Sequence, residues 1–168
     1  MSRGFVREGD QEEPVFVPPR APLPSGFENL VTPRGLRLLQ EERSALEASR
    51  SQVVAAEGPA RRRELAEING RLALLAERIA TARVVEPFSR PGTEVRFGST
   101  VTYRFISGPK QGTGHTFTLV GVDEAKVAEG RIAFTSPLAQ ALLGRSSGDQ
   151  VEFPAGGGKQ LVQVVAIA

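Results

Sequence analysis

The chain has 168 residues, a formal net charge of +2, no cysteine and a single histidine, His115. Disulfides, thiolate metal sites, His-cluster metal centres and most Cys- or Ser-His catalysis are therefore excluded. No apolar run approaches the ~18 residues of a membrane span and no signal-peptide core opens the chain, so a soluble, cytoplasmic protein without membrane association is expected.

Residues 1–31 hold Pro14, Pro18, Pro19, Pro22 and Pro24 and the acidic string "DQEE" at 10–13. Proline removes backbone donors and favours extended backbone, so this segment reads as an extended or disordered arm. Phe5, Val15, Phe16 and Val17 are the residues able to pin it to a folded surface, with Phe27 and Leu30 nearer the next element.

Residues 32–83 read as a helical hairpin. Thr32 suits an N-cap and Pro33 the first helical position. Leu36, Leu39, Leu46 and Val53 follow at spacings of three and seven, with Arg43 and Arg50 standing at the intervening seam positions. Glu57-Gly58-Pro59 breaks the helix. Leu65, Ile68, Leu72, Leu75, Ile79 and Ala82 then alternate by three and four, the signature of a coiled-coil seam. Two helices of about 24 residues give a rod roughly 35 Å long. Such a rod buries one stripe and should lean on a domain at its base. Its tip holds Glu57, Gly58, Pro59, Arg61, Arg62, Arg63 and Glu64. A basic cluster supplies salt-dependent affinity for phosphate or for an acidic protein surface. Three consecutive helical arginines point apart, however, and form no single clamp.

From about residue 84 the period changes to that of strands: 93–98, 100–106, 115–122, 131–135, 149–153 and 160–167, rich in Val, Ile, Phe and Thr. "SPLAQALLG" between them reads as a short helix, capped by Ser136, started by Pro137 and ended by Gly144. The fold class is α+β: an N-terminal antiparallel coiled-coil hairpin (32–83) after a proline-rich arm (1–31), then a mainly antiparallel sheet domain with one short helix (84–168). His115 opens a strand without catalytic partners and reads as structural. The glycines of "AGGGK" (155–159) lack phosphate-loop spacing and read as a hairpin turn.

The hairpin followed by "VRFGSTVTY", "FTLVGVDEA" and "IAFTSPLAQALLGRSSGDQVEFPAGGG" resembles the Gre family of bacterial transcription elongation factors. The resemblance is densest over 94–168 and continues, with a shorter hairpin, through 32–83. It implies an FKBP-like C-terminal domain that docks on RNA polymerase and a hairpin directed down the secondary channel, near the DNA and RNA of the elongation complex. It assigns polymerase contact to Ser136, Pro137 and Leu138, with Asp123 as a neighbouring polar group. Cleavage-stimulating members carry a tip of the form Gly-Asp-Leu-x-Glu-Asn-Ala-Glu-Tyr, whose carboxylates help hold a metal ion at the polymerase centre. Here arginines stand instead.

The expectation is therefore a monomeric, non-enzymatic regulator with no cofactor or metal of its own. Mg²⁺ of the polymerase centre would enter only if Glu57 made the tip cleavage-competent. The two alternatives are such a cleavage-stimulating factor, and a coiled-coil interaction module for another partner. Prolyl isomerase activity does not follow from the fold.

Overall fold

A computed structural model describes residues 14–58, 60–88, 90 and 92–168. Phe5, the acidic string at 10–13 and Pro59 lie outside the described residues. The chain order is β1 (Leu30–Val31), α1 (Pro33–Ala55), α2 (Ala60–Ala80), β2 (Arg83–Val84), β3 (Thr100–Phe105), β4 (Gly114–Val120), β5 (Arg131–Ala133), α3 (Pro137–Leu142), β6 (Gln150–Ala155) and β7 (Gly158–Ile167).

Helix α1 begins as its sequence predicts. Thr32 is the N-cap, its Oγ1 accepts the Gly35 N–H at 2.9 Å, and Pro33 stands where a missing N–H costs nothing. The helix ends at Ala55, before the Glu57-Gly58 break, and Gly58 takes φ 121°, which favours a residue without Cβ. Leu39, Leu46 and Val53 of α1 and Ile68 and Leu75 of α2 are buried in the seam, with Leu36, Leu72, Ile79 and Ala82 packed beside it. Arg43 and Arg50 are exposed, so the seam closes around the leucines and leaves both arginines in water. At ~1.5 Å per residue the 23-residue α1 spans about 35 Å.

The sheet order is β5-β4-β3-β7-β6, antiparallel except for the parallel β4–β5 pair. Alternation along β3 decides its two faces. Val101, Tyr103 and Phe105 point into the core with Leu119, Ile132, Val151, Phe153, Val162 and Val164, beneath Ala139 and Leu142 of α3. Thr100 and Thr102 point the other way and pair with Thr118 and Thr116, at 2.8 and 2.9 Å between hydroxyls. Gly156 and Gly157, at φ 56° and 83°, form the two-residue turn joining β6 to β7, the hairpin turn expected of "AGGGK".

Three features differ from the sequence reading. Residues 93–98 are not a strand: the segment makes one bridge, Glu94 to Ser146, and Gly98 turns the chain at φ 86°. Val95 is nevertheless buried, and its backbone pairs with Gly144 and Arg145. Second, β1 and β2 form a short parallel pair, Leu30 opposite Arg83 and Val31 opposite Val84, which closes the base of the hairpin. Third, of the residues expected to pin the extended arm, Val15 and Val17 are half-buried as expected but Phe16 is exposed, and Arg20, which was not expected to contribute, is half-buried as well.

No helix among the described residues is long and apolar enough to cross a membrane.

Candidate functional site

The start of α3 is built from its own sequence. Ser136 Oγ accepts the Ala139 N–H at 3.3 Å, and Pro137 follows in the first turn. The Gln140 side chain donates to the Phe134 carbonyl at 2.7 Å, tying the helix back to the end of β5. Ala139 and Leu142 anchor the underside in the core. Pro137 is exposed and Leu138 is half-buried against the core cluster, so the turn offers one apolar ring and one apolar edge on a rigid base.

Asp123 lies in the connection between β4 and β5, which leaves the same end of the sheet as the turn into α3. Its Oδ1 accepts from Arg20 Nε and one terminal nitrogen at 3.1 and 2.7 Å, and its Oδ2 from Arg78 at 2.9 Å. Arg20 also makes a two-bond fork to Glu42 of α1, at 2.9 and 3.0 Å. Arg78 donates in addition to the Ala21 carbonyl at 2.7 Å. Two guanidiniums and two carboxylates thus neutralise one another in a largely desolvated cluster. The bonds to Glu42, and then those to Asp123, hold the Arg20 guanidinium above its ordinary pKa against the opposing effect of burial.

The next residue, Glu124, is 5% exposed and lies under the N-terminus of α1. It accepts the Thr32 hydroxyl at 2.5 Å, and Arg34 stands 3.8 Å away. A carboxylate there also complements the partial positive charge of the helix end. Gly35 permits this approach, since a Cβ on it would lie 2.9 Å from Glu124 Oε2.

At the opposite end, the tip shows Glu57, Gly58, Arg61, Arg62, Arg63 and Glu64 on the surface. Arg63 and Glu64, with Ala60 and Glu67, line a shallow groove whose other wall is Pro14, Val15, Phe16 and Pro18 of the arm. No group of three His, Cys, Asp or Glu among the described residues could hold a metal ion.

His115 is exposed at the rim of an aromatic patch, 5.9 Å from the ring centre of Tyr103 and 6.1 Å from that of Phe117. Burial pushes the Tyr103 phenol up to about 12. Glu129 is held down at about 2 by Lys126 and then Arg131, on an exposed turn where salt screens the effect.

Ser136, Pro137 and Leu138 thus share the α3 turn, while Asp123, on the loop that leaves the same end of the parallel β4–β5 pair, is engaged by Arg20 and Arg78, and Arg20 also by Glu42. The sequence reading missed those three partners and Glu124. A usable signal was Arg20, the only charged residue between Pro14 and Phe27.

Comparison with known proteins decides the family. The model for the GreA/GreB C-terminal domain of transcription elongation factors matches residues 90–168. The transcription elongation factor GreA of Acidiphilium cryptum is 36% identical over 135 residues, covering 80% of this chain and 82% of that one. The chain belongs to the GreA/GreB family of transcription elongation factors. GreA of Brucella canis is 32% identical over 152 residues, covering 82% of this chain and 95% of that one. Among solved structures, the GreA factor homolog 1 (Gfh1) protein of Thermus thermophilus is similar at 24% identity, with a TM-score of 0.39 over 84% of this chain and 99% of that one. Family membership rests on the sequence relatives.

Proposed function

We propose that the protein binds RNA polymerase through its sheet domain, presents Ser136, Pro137 and Leu138 of α3 to it, and directs the hairpin into the secondary channel. It regulates elongation there by occupancy and does not stimulate transcript cleavage. Asp123 supports this geometry by holding the base of the hairpin. The protein works in the cytoplasm, where the polymerase is, and needs no cofactor of its own.

The observation that carries the non-cleaving reading is the composition of the tip: Glu57 and Glu64 flank Arg61, Arg62 and Arg63. A divalent cation at a phosphate needs several oxygen ligands held together. Glu57 lies in the break between the helices and Glu64 lies on α2, lining the groove shared with the arm. That donor set does not fit a shared Mg²⁺.

The test is co-sedimentation with core RNA polymerase at low salt. The parent protein binds, and Leu138→Asp, which puts a charge on the α3 turn, weakens binding at least tenfold while the fold is retained. Absence of binding by the parent overturns the reading.

A further inference from the structure

The hairpin is joined covalently to the sheet domain through one side only. Helix α2 runs out through β2 and residues 85–99 into β3, whereas α1 is preceded by the arm. A rod attached by one linker containing Pro87 and Gly92 would pivot, unless side-chain contacts fix it.

The β4–β5 connection supplies those contacts at adjacent residues. Glu124 catches the start of α1 through Thr32, and Asp123 catches α2 through Arg78. Gly121 lets the backbone of β1 lie against the same loop, since a Cβ there would meet the Leu30 carbonyl oxygen at 2.6 Å.

The arm crosses this joint from outside and touches both bodies. On the domain it makes the Arg20–Asp123 pair and an edge-to-face contact of Phe27 with Phe134, 5.8 Å between ring centres. On the rod it makes the Arg20–Glu42 fork, gives the Ala21 carbonyl to Arg78, and lays Val17 against Gly70. Asn29 completes the line by donating to the Arg78 carbonyl at 2.8 Å and to the Thr81 hydroxyl at 3.1 Å. The four groups of the Arg20 cluster come from four separate segments: arm, α1, α2 and the β4–β5 connection. They can all be satisfied in only one arrangement of those segments. Pulling any one of these segments away would leave a partly desolvated charge without its partner, which is costly.

We propose that residues 14–29 are a strap that fixes the direction of the hairpin relative to the sheet domain, with Arg20 as its fastener and Asp123 as its catch. The strap makes the rod's reach a property of the free protein. Its consequence for transcription rests on the function proposed above; its effect on geometry does not.

The absence of cysteine allows a direct measurement on the full chain. Spin labels at Ala48→Cys on α1 and Lys159→Cys at the start of β7, both exposed positions, report the angle between rod and domain. The parent gives one narrow distance distribution. Arg20→Gln gives a broad or split one, with helix content by circular dichroism unchanged. Gly70→Ala is the second variant: it alters no charged group but expels Val17, and it also loses the single narrow peak. If both variants keep the parent distribution, the strap does not set the angle and the proposal is overturned. If the parent fails to bind polymerase while the variants still broaden, the proposed function falls and the strap stands.

Discussion

Val17 of the arm occupies the space that a side chain at position 70 would need: a Cβ on Gly70 would lie 2.5 Å from Val17 Cγ2. Glycine inside a helix costs about 1 kcal/mol relative to alanine, so Gly70 in α2 is a local penalty explained by a neighbour some fifty positions away. In a bare two-helix hairpin Gly70→Ala would be stabilising.

On the seated arm the same change acts against packing. Gly70→Ala is expected to free residues 14–19 and make them sensitive to limited proteolysis, while α2 keeps its helicity. An arm equally protected in parent and variant would contradict the placement of Val17.

Leu75 is fully buried in the seam between α1 and α2, beside Leu39 and Leu46. Leu75→Ala should cost about 2–5 kcal/mol, because the cavity it leaves adds to the lost transfer energy. Chemical denaturation of the full chain reads this value. Leu38→Ala, at a more exposed position of α1, should change stability far less.

The two helix caps are unequal. Ser136→Ala removes a single long cap bond and should cost about 1 kcal/mol or less. Thr32→Ala removes a cap bond and also the hydroxyl donor to buried Glu124, so its cost should be larger, about 2–3 kcal/mol. Thermal melts of the two variants side by side give the order.

Tyr103 is the only tyrosine, and the chain has no tryptophan, so tyrosinate absorbance reports this one phenol. Burial raises its pKa from 10.0 to about 12 because the charged form is disfavoured in the core. The folded state then holds the proton more tightly than the unfolded chain. Stability contributed by neutral Tyr103 is intact below the ordinary value and falls as pH rises from about 10 towards about 12. A spectrophotometric titration with midpoint near 10 in the folded protein would contradict its burial.

The helical elements were legible because their signals are local. Thr32-Pro33 and Ser136-Pro137 each declare a start, and the leucine spacing of α1 and α2 sets which stripe is inside. The strands from β3 to β7 showed through their Val, Ile, Phe and Thr content and the turn residues that bound them. What stayed hidden depends on meetings between distant segments. Nothing near Asp123 announces Arg20 or Arg78, and Glu124 reads as a surface acid until α1 is placed on top of it. The segment 93–98 has strand-like composition but pairs mainly with the turn after α3, which no local pattern encodes.

The most direct test of the central claim uses a stalled, backtracked elongation complex of RNA polymerase with Mg²⁺ and this protein in excess. The account predicts that the protein binds the complex and that the transcript shortens no faster than in its absence. Accelerated shortening of the RNA, abolished by Glu57→Ala, would contradict it.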